Sequence, residues 1–302
     1  MHNISIGFLI YDTDNLGDWT QTAAAMYVWW VYFGKTETFK QFLETCISTS
    51  YLYTYPITWI VRDRISNTKK PDGIESVVLI CNAWWMHLKE KKYNFIPPNW
   101  IKPIYTSIHI KDSDILTSDT IMYLKQYEPI GCRDISTKLL LEEKNIKAYF
   151  SGCLTMIIDL RDNNIGFNKT IDYSNNTIYI DIFKNNTTLS KENIIKKCQK
   201  HYKILNKNNI LLVIQDAINY MYAKMVVTTR LHIWLPLVCN SCNVKLINVK
   251  TGLIFKNGDT DNQNQKINRF NGLTNIIYEN DNIDSFKINL LNDTISSIKK
   301  LM

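Results

Sequence analysis

The stretch that most constrains this chain is Met225–Cys239, MVVTTRLHIWLPLVC. Met225 to Val227 form a short apolar, β-branched run that suits a buried strand. Thr228 and Thr229 are strand-end or helix-cap residues, and an apolar helical run follows from Ile233. Arg230, Leu231 and His232 therefore stand where a buried strand hands over to a buried helix. In open α/β sheets, ligands bind at such carboxyl-end junctions. The free N–H groups of the helix's first turn favour an anion there.

The same alternation runs through the earlier chain. Ile4–Tyr11 is an apolar run that ends in a polar loop, Asp12–Gly17. Asp18 opens a helical stretch to Gly34, with Asp18 and Gln21 at capping-box spacing. Asn15, Gly17 and Asp18 thus mark a strand–loop–helix junction. On spacing alone they also make an ordinary capped turn, because Gly permits a positive φ and Asp satisfies the first helix amides. Thr36–Thr49 predicts a second helix, Tyr51–Asp63 a strand and Val77–Cys81 a short buried strand. Trp84 and Trp85 fit a core or cleft wall better than a base-stacking platform, since no basic residues interleave with them.

Ile104–Ile110 alternates as one strand, which would place Ser107 and His109 on one face. Helices over Ser118–Tyr127 and Asp134–Lys144 flank a short extended link, Glu128–Arg133, and Ile146–Phe150 reads as a strand. Arg133 and Asp134 therefore stand at another strand-to-helix junction. An arginine there serves either a ligand or a local ion pair.

Arg161–Ser174 is polar and Asn-rich, the composition of a linker. Beyond it the spacing predicts a strand over Thr177–Phe183, an amphipathic helix over Leu189–Tyr202 and a helix over Ile210–Met221. Val244–Val249 reads as a strand, Gly252–Gln265 as a polar loop and Asp284–Met302 as a closing helix. The pattern predicts an α/β chain of two doubly wound Rossmann-like domains facing across a cleft. Residues 1–165 would form the first domain and contribute Arg133. Residues 166–280 would form the second and contribute Arg230–His232, with residues 281–302 closing the chain.

Composition narrows the partners. The 302 residues are 45% hydrophobic and 21% charged, enough to build a core. A net charge of +7 suits an acidic substrate. The lysines are scattered among asparagines and form no stripe, which argues against nucleic acid. No apolar run reaches the ~20 residues that span a bilayer. Asp12, Asp14 and Asp18 follow Ile4–Ile10 too closely for a signal peptide, so the expected location is cytoplasmic. Seven cysteines form an odd set in mostly apolar surroundings and read as reduced thiols. Cys239 and Cys242 make a C-x-x-C without a second pair, which fits two helix-end cysteines better than a zinc site.

Four stretches together carry a family resemblance. Asn15–Leu16–Gly17–Asp18 follows the first strand. Gly131–Cys132–Arg133–Asp134–Ile135–Ser136 precedes a helix, and Tyr149–Phe150–Ser151–Gly152–Cys153–Leu154–Thr155 comes after it. Thr229–Arg230–Leu231–His232 follows a buried strand, and Arg269–Phe270–Asn271–Gly272–Leu273 lies near the end. In order and spacing this resembles the polysaccharide pyruvyl transferase family, from about residue 4 to about residue 275.

The resemblance implies a fold like the two-domain glycosyltransferases of the B type. It also implies transfer of a pyruvyl (carboxyethylidene) group from phosphoenolpyruvate to a sugar of a glycan, giving a pyruvate ketal. Arg133 and Arg230 match the arginines that hold the donor's phosphate and carboxylate. Leu231 matches a residue lining the donor, and His232 the histidine of acid/base chemistry. Asn15, Gly17 and Asp18 match a loop facing the acceptor. Ser107, His109 and Asp134 are expected beside them as substrate-binding residues. The scheme needs no cofactor and no metal, only phosphoenolpyruvate and a sugar or glycan acceptor. One departure is Asn240–Ser241–Cys242–Asn243–Val244, where the family usually carries a Gly-x-Pro-like turn.

Two other functions fit the same architecture. A sugar-nucleotide-dependent glycosyltransferase would carry a Gly-rich diphosphate loop, and the second half is poor in Gly. An inactive glycan- or anion-binding relative would be expected to lack an arginine or the histidine, yet Arg133, Arg230 and His232 are all present.

Overall fold

The computed structural model describes residues 3–13, 15–85, 95–111, 113–182, 194–197, 205–248, 253–255, 270, 272–279 and 282–302. The chain is a mixed α/β protein built on parallel sheets, in a Rossmann-like manner. In order come β1 (Ile4–Ile10), α1 (Leu16–Tyr32), α2 (Phe39–Ser48), β2 (Tyr51–Leu52), β3 (Tyr55–Val61), β4 (Ser76–Cys81) and β5 (Trp84–Trp85). Then follow β6 (Ile101–Tyr105), β7 (His109–Ile110), α3 (Ser118–Lys125), β8 (Ile130–Cys132), α4 (Ile135–Glu142) and β9 (Ala148–Phe150). Beyond residue 176 lie β10 (Thr177–Ile180), β11 (Ile194–Lys197), α5 (Asn209–Met221), β12 (Met225–Thr228), α6 (Leu231–Val238), β13 (Val244–Leu246), α7 (Leu273–Glu279) and α8 (Ile283–Leu301).

One sheet has the order β2-β3-β1-β4-β6, parallel except for the antiparallel β2. The other has the order β11-β10-β12-β13 and is wholly parallel. In each, an early strand (β1 or β10) has a later strand on either side. The loops after such strands diverge at a topological switch point, where an open α/β sheet leaves a crevice. Small parallel pairs, β5 with β7 and β8 with β9, complete the first half.

The helix α1 explains how the two sheets share a core. It is buried along almost its whole length, with Trp19, Ala23, Met26, Val28, Trp29 and Trp30 fully so. A helix of that kind must be covered all round. Here β1, α2, α5, α6 and α8 all pack on it. Truncating Trp29 to Ala would cost about 3–5 kcal/mol.

Several expected elements come out differently. Ile104–Ile110 is not one strand. The chain breaks at Ser107, which takes φ +55° between β6 and β7. The Ser107 amide donates to Ser151 Oγ at 3.0 Å, and Ser151 Oγ donates to the Cys132 carbonyl at 3.0 Å. That tie replaces the ladder hydrogen bonds a continuous strand would have made. The helix expected over Leu189–Tyr202 holds a strand, β11, paired in parallel with β10. The rest of that expectation lies outside the described residues, as do Phe183, Val249, Arg269, Asn271 and most of Gly252–Gln265.

The helix after the first loop begins at Leu16, capped by Asn15 rather than Asp18. The helix after β12 likewise begins earlier than expected, at Leu231, with Arg230 at its N-cap. The Asn-rich stretch 161–174 has no helix or strand, yet it is held in place. Asp162 pairs with Lys35, and Asn219 Oδ1 accepts from the Thr170 amide at 2.9 Å. No helix among the described residues is long and apolar enough to cross a membrane.

Candidate functional site

Asn15, Gly17, Trp84, Arg133, Arg230, Leu231 and His232 line one pocket. They arrive from four places in the chain. Asn15 and Gly17 come from the β1–α1 junction, Trp84 from β5, Arg133 from the end of β8, and the triplet from the start of α6. Six of the ten residues expected at the site therefore meet. Asp18, Ser107, His109 and Asp134 do not line the pocket.

Arg230 is fixed by a neighbour that the sequence alone does not reveal. Ile180 pairs with Thr228 across β10 and β12, so Asp181 lies beside the Thr229–Arg230 turn. Arg230 Nε donates to Asp181 Oδ2 at 2.7 Å, and Thr229 Oγ1 donates to the Asp181 carbonyl at 3.3 Å. Asp181 adopts φ +54°, a left-handed conformation that Asp tolerates better than most residues. The Arg230 amide donates to Thr228 Oγ1 at 3.0 Å. The guanidinium side chain remains 44% exposed, so its charge faces solvent as well as the pocket.

Arg133 is fully buried and stands beside a carboxylate at longer range. Its Nε lies 3.8 Å from Asp134 Oδ2. Asp134 caps α4, where its Oδ1 accepts from the Thr137 amide at 2.9 Å and from Thr137 Oγ1 at 3.0 Å. Its Oδ2 is 2.5 Å from His109 Nδ1. Burial works to raise the Asp134 carboxyl, but the charge and hydrogen bond of His109, the charge of Arg133 and the Thr137 amide together hold it below its ordinary range. His109 pairs in register with Trp84, and their rings lie 5.7 Å apart. His109 and Asp134, expected as substrate-binding residues, thus form a layer behind Arg133 and Trp84 and do not line the pocket.

His232 is almost buried and sits against the first loop. A β-carbon built on Gly17 would lie 2.6 Å from His232 Nδ1 and 3.4 Å from Asn15 Oδ1. Gly17 is therefore present for space and has no unusual φ. Asn15 Oδ1 accepts from the Gly17 amide at 3.1 Å, which shapes that close approach. On its other side the imidazole borders an apolar cavity with Leu16, Thr20, Ile233 and Pro236. His232 is thus a partition between a polar pocket and an apolar one. The Trp84 indole N–H, which is buried, has no acceptor among the described residues.

Asp18 turns away into a buried charge cluster. Its Oδ2 accepts from Thr13 Oγ1 at 2.7 Å, and its Oδ1 lies 3.4 Å from Arg62 Nη1. Arg62 also donates to Asp63 Oδ1 at 2.8 Å and stacks 4.8 Å over the Tyr11 ring. Burial, then the Asp18 charge, pushes the Tyr11 phenol far above its ordinary range and keeps it neutral. Asp18 therefore braces the loop carrying Asn15 and Gly17. Ser107 is fully buried at the break after β6 and has a backbone role there.

The cysteines of the C-x-x-C are free thiols. Burial pushes Cys239 up to about 12 and Cys242 up to about 11. Among the described residues no group of three or more His, Cys, Asp or Glu is placed to hold a metal ion.

A local signal marks Trp84 but leaves two readings, since a Trp pair after a short buried strand fits core or pocket wall equally. Trp85 takes the first role and Trp84 the second. Asp181 and Arg62 have no local signal. The partner that makes each matter is 49 residues away for Asp181 and 44 for Arg62, counting from Arg230 and Asp18. The chain matches no protein-family model and no curated protein sequence.

Proposed function

We propose that the protein transfers a pyruvyl group from phosphoenolpyruvate to a pair of hydroxyls on a sugar, with the two sheets as two domains and the pocket as their shared cleft. The observation that carries this reading is the convergence of Arg133, Arg230 and His232 on one pocket at the carboxyl ends of parallel strands. Two arginines suit a small donor bearing both a phosphate and a carboxylate, because each guanidinium can meet a planar or tetrahedral anion with two charge-assisted hydrogen bonds. The helix N-terminus at Leu231 adds free N–H groups that favour the same charge.

The chemistry asks for one mobile proton and for stabilised negative charge. Protonation of the donor's methylene carbon makes a methyl group and leaves the central carbon electron-poor. One sugar hydroxyl forms a bond to that carbon, the carbon–oxygen bond to phosphate breaks, and a second hydroxyl closes the ketal. The two hydroxyl protons end on the new methyl group and on the released phosphate. His232, with its imidazole at the pocket wall, supplies and takes up these protons. Arg133 and Arg230 stabilise the charge that moves onto the departing phosphate. Asn15 and the Trp84 indole face the acceptor as hydrogen-bonding and stacking groups.

The test is incubation of the protein with phosphoenolpyruvate and a panel of glycans, followed by mass spectrometry. A carboxyethylidene adduct together with released phosphate is the expected result. Hydrolysis or transfer of a nucleotide sugar, with phosphoenolpyruvate inert, would replace this reading with glycosyl transfer.

A further inference from the structure

Both arginines of the pocket have a carboxylate on their Nε side: Asp181 for Arg230 at 2.7 Å and Asp134 for Arg133 at 3.8 Å. Each pair is close to electroneutral. An anion entering the pocket therefore meets two guanidinium groups whose charges are largely balanced from behind. A third element alters that balance on one side only. His109 Nδ1 lies 2.5 Å from the same Asp134 Oδ2 that faces Arg133, with His109 2% and Asp134 0% exposed. Asp134 is shared between a guanidinium and an imidazole.

We propose that His109 is a positioning residue whose proton sets the charge of the anion site. Protonated His109 adds one positive charge beside Asp134 and Arg133, behind the pocket wall. Neutral His109 removes that charge and weakens the site for anions. Anion binding is then coupled to proton uptake at a group that never touches the ligand.

The groups around His109 fit this role. From α4 it faces Asp134 and Thr137, whose Oγ1 is 3.3 Å from Nδ1. From the end of β8 it faces Arg133 through Asp134, and from β5 it faces the Trp84 ring. Trp84 and Arg133 are both pocket walls, so a change at His109 passes to the site through direct contacts. Asp134 is already held in its charged form by these neighbours.

The inference rests on the reading of the pocket as an anion site. Sulfate is the primary probe, because its charge is constant across the range in which histidine titrates. Calorimetry of sulfate binding between about pH 5 and about pH 8 is run on wild type, His109→Gln and His232→Gln. Wild type and His232→Gln should lose affinity as pH rises. His109→Gln should bind about tenfold more weakly at the acid end, as expected for one unit charge behind the wall of the site, and show no such step. A step retained in His109→Gln overturns the inference.

Should that variant fail to fold, proton uptake decides. Binding to His232→Gln at the alkaline end, measured in buffers of different ionisation enthalpy, should take up close to one proton, and no uptake overturns the inference. Phosphoenolpyruvate is titrated in parallel. Wild type that binds sulfate but not phosphoenolpyruvate overturns the donor reading and leaves the role of His109 standing. Wild type that binds neither overturns both.

Discussion

Gly17 and His232 meet where α1 and α6 begin, and a β-carbon on Gly17 would stand 2.6 Å from His232 Nδ1. No real carbon–nitrogen contact is that short, so Gly17→Ala must move the imidazole or the loop. The stability cost should be small, because Ala is favoured over Gly inside a helix by up to ~1 kcal/mol. The functional cost should be large, since a displacement on the order of 1 Å at a reacting group can cost about a hundredfold in rate. Phosphate release from phosphoenolpyruvate with an accepting glycan measures it, with His232→Ala as the floor. Wild-type turnover in Gly17→Ala would show that the position of His232 is unimportant to the chemistry.

Asp181 should matter to donor binding without touching the donor. Its carboxylate fixes Arg230 through Nε, and the arginine is nearly half exposed, so solvent screens part of the interaction. Asp181→Asn keeps the size and the left-handed tolerance of the side chain and removes the charge. Donor affinity should fall by about threefold to tenfold, equivalent to roughly 0.7–1.4 kcal/mol, because a loosened Arg230 guanidinium loses more than the removal of one negative charge behind it gains. Arg230→Lys should lose more, because an ammonium cannot reproduce the planar fork. Titration calorimetry with phosphoenolpyruvate would rank the two. Equal affinity in wild type and Arg230→Lys would remove Arg230 from the donor clamp.

The parts of this site that are local in sequence are legible there, and the parts that depend on strand pairing are not. Arg230–Leu231–His232 and Arg133 are recognisable because a strand-like stretch and a helical run border each of them. Asn15 and Gly17 are recognisable for the same reason, but the purpose of Gly17 is not. A turn glycine and a glycine that makes room for an imidazole read alike until α6 is packed beside α1. Asp18, His109 and Asp134 are polar residues at the right junctions, and spacing cannot say which of two directions they take. Asp18 goes inward to Arg62, and His109 and Asp134 go inward to each other.

The β11 strand was concealed by its surroundings. Residues 189–202 have helical amphipathicity, and the parallel pairing to β10 that overrides it is non-local. Ser107 shows the reverse case: an alternating run reads as one strand, and a single left-handed residue divides it.

The pairing of Arg62 with Asp18 is a buried ion pair under the first loop, with side chains 1% and 3% exposed. Removing one partner leaves the other charge buried. Arg62→Met should therefore cost about 3–5 kcal/mol in urea unfolding. It should also weaken the pocket, because Asp18 and Thr13 brace the turn that carries Asn15 and Gly17. A loss under about 1 kcal/mol, the value of a solvent-exposed pair, would contradict the burial of this cluster.

Asp134 should give the fold an acid-sensitive component whose sign is fixed by its environment. Its carboxyl is held below the ordinary value of 3.8 by His109, Arg133 and Thr137, which outweigh its burial. A group depressed in the folded state contributes stability that is fully present above its unfolded value and is lost as pH falls toward its folded one. The window therefore opens below about pH 4. Asp134→Asn keeps an N-cap of similar quality for α4 and cannot ionise. At neutral pH the variant should be less stable by about 1–3 kcal/mol, the range for hydrogen bonds to a charged group. As the pH is lowered below about 4, wild type should begin to lose this advantage and the two melting curves should draw together. Curves that stay parallel through that range would mean that the Asp134 carboxylate is not held by His109 and Arg133.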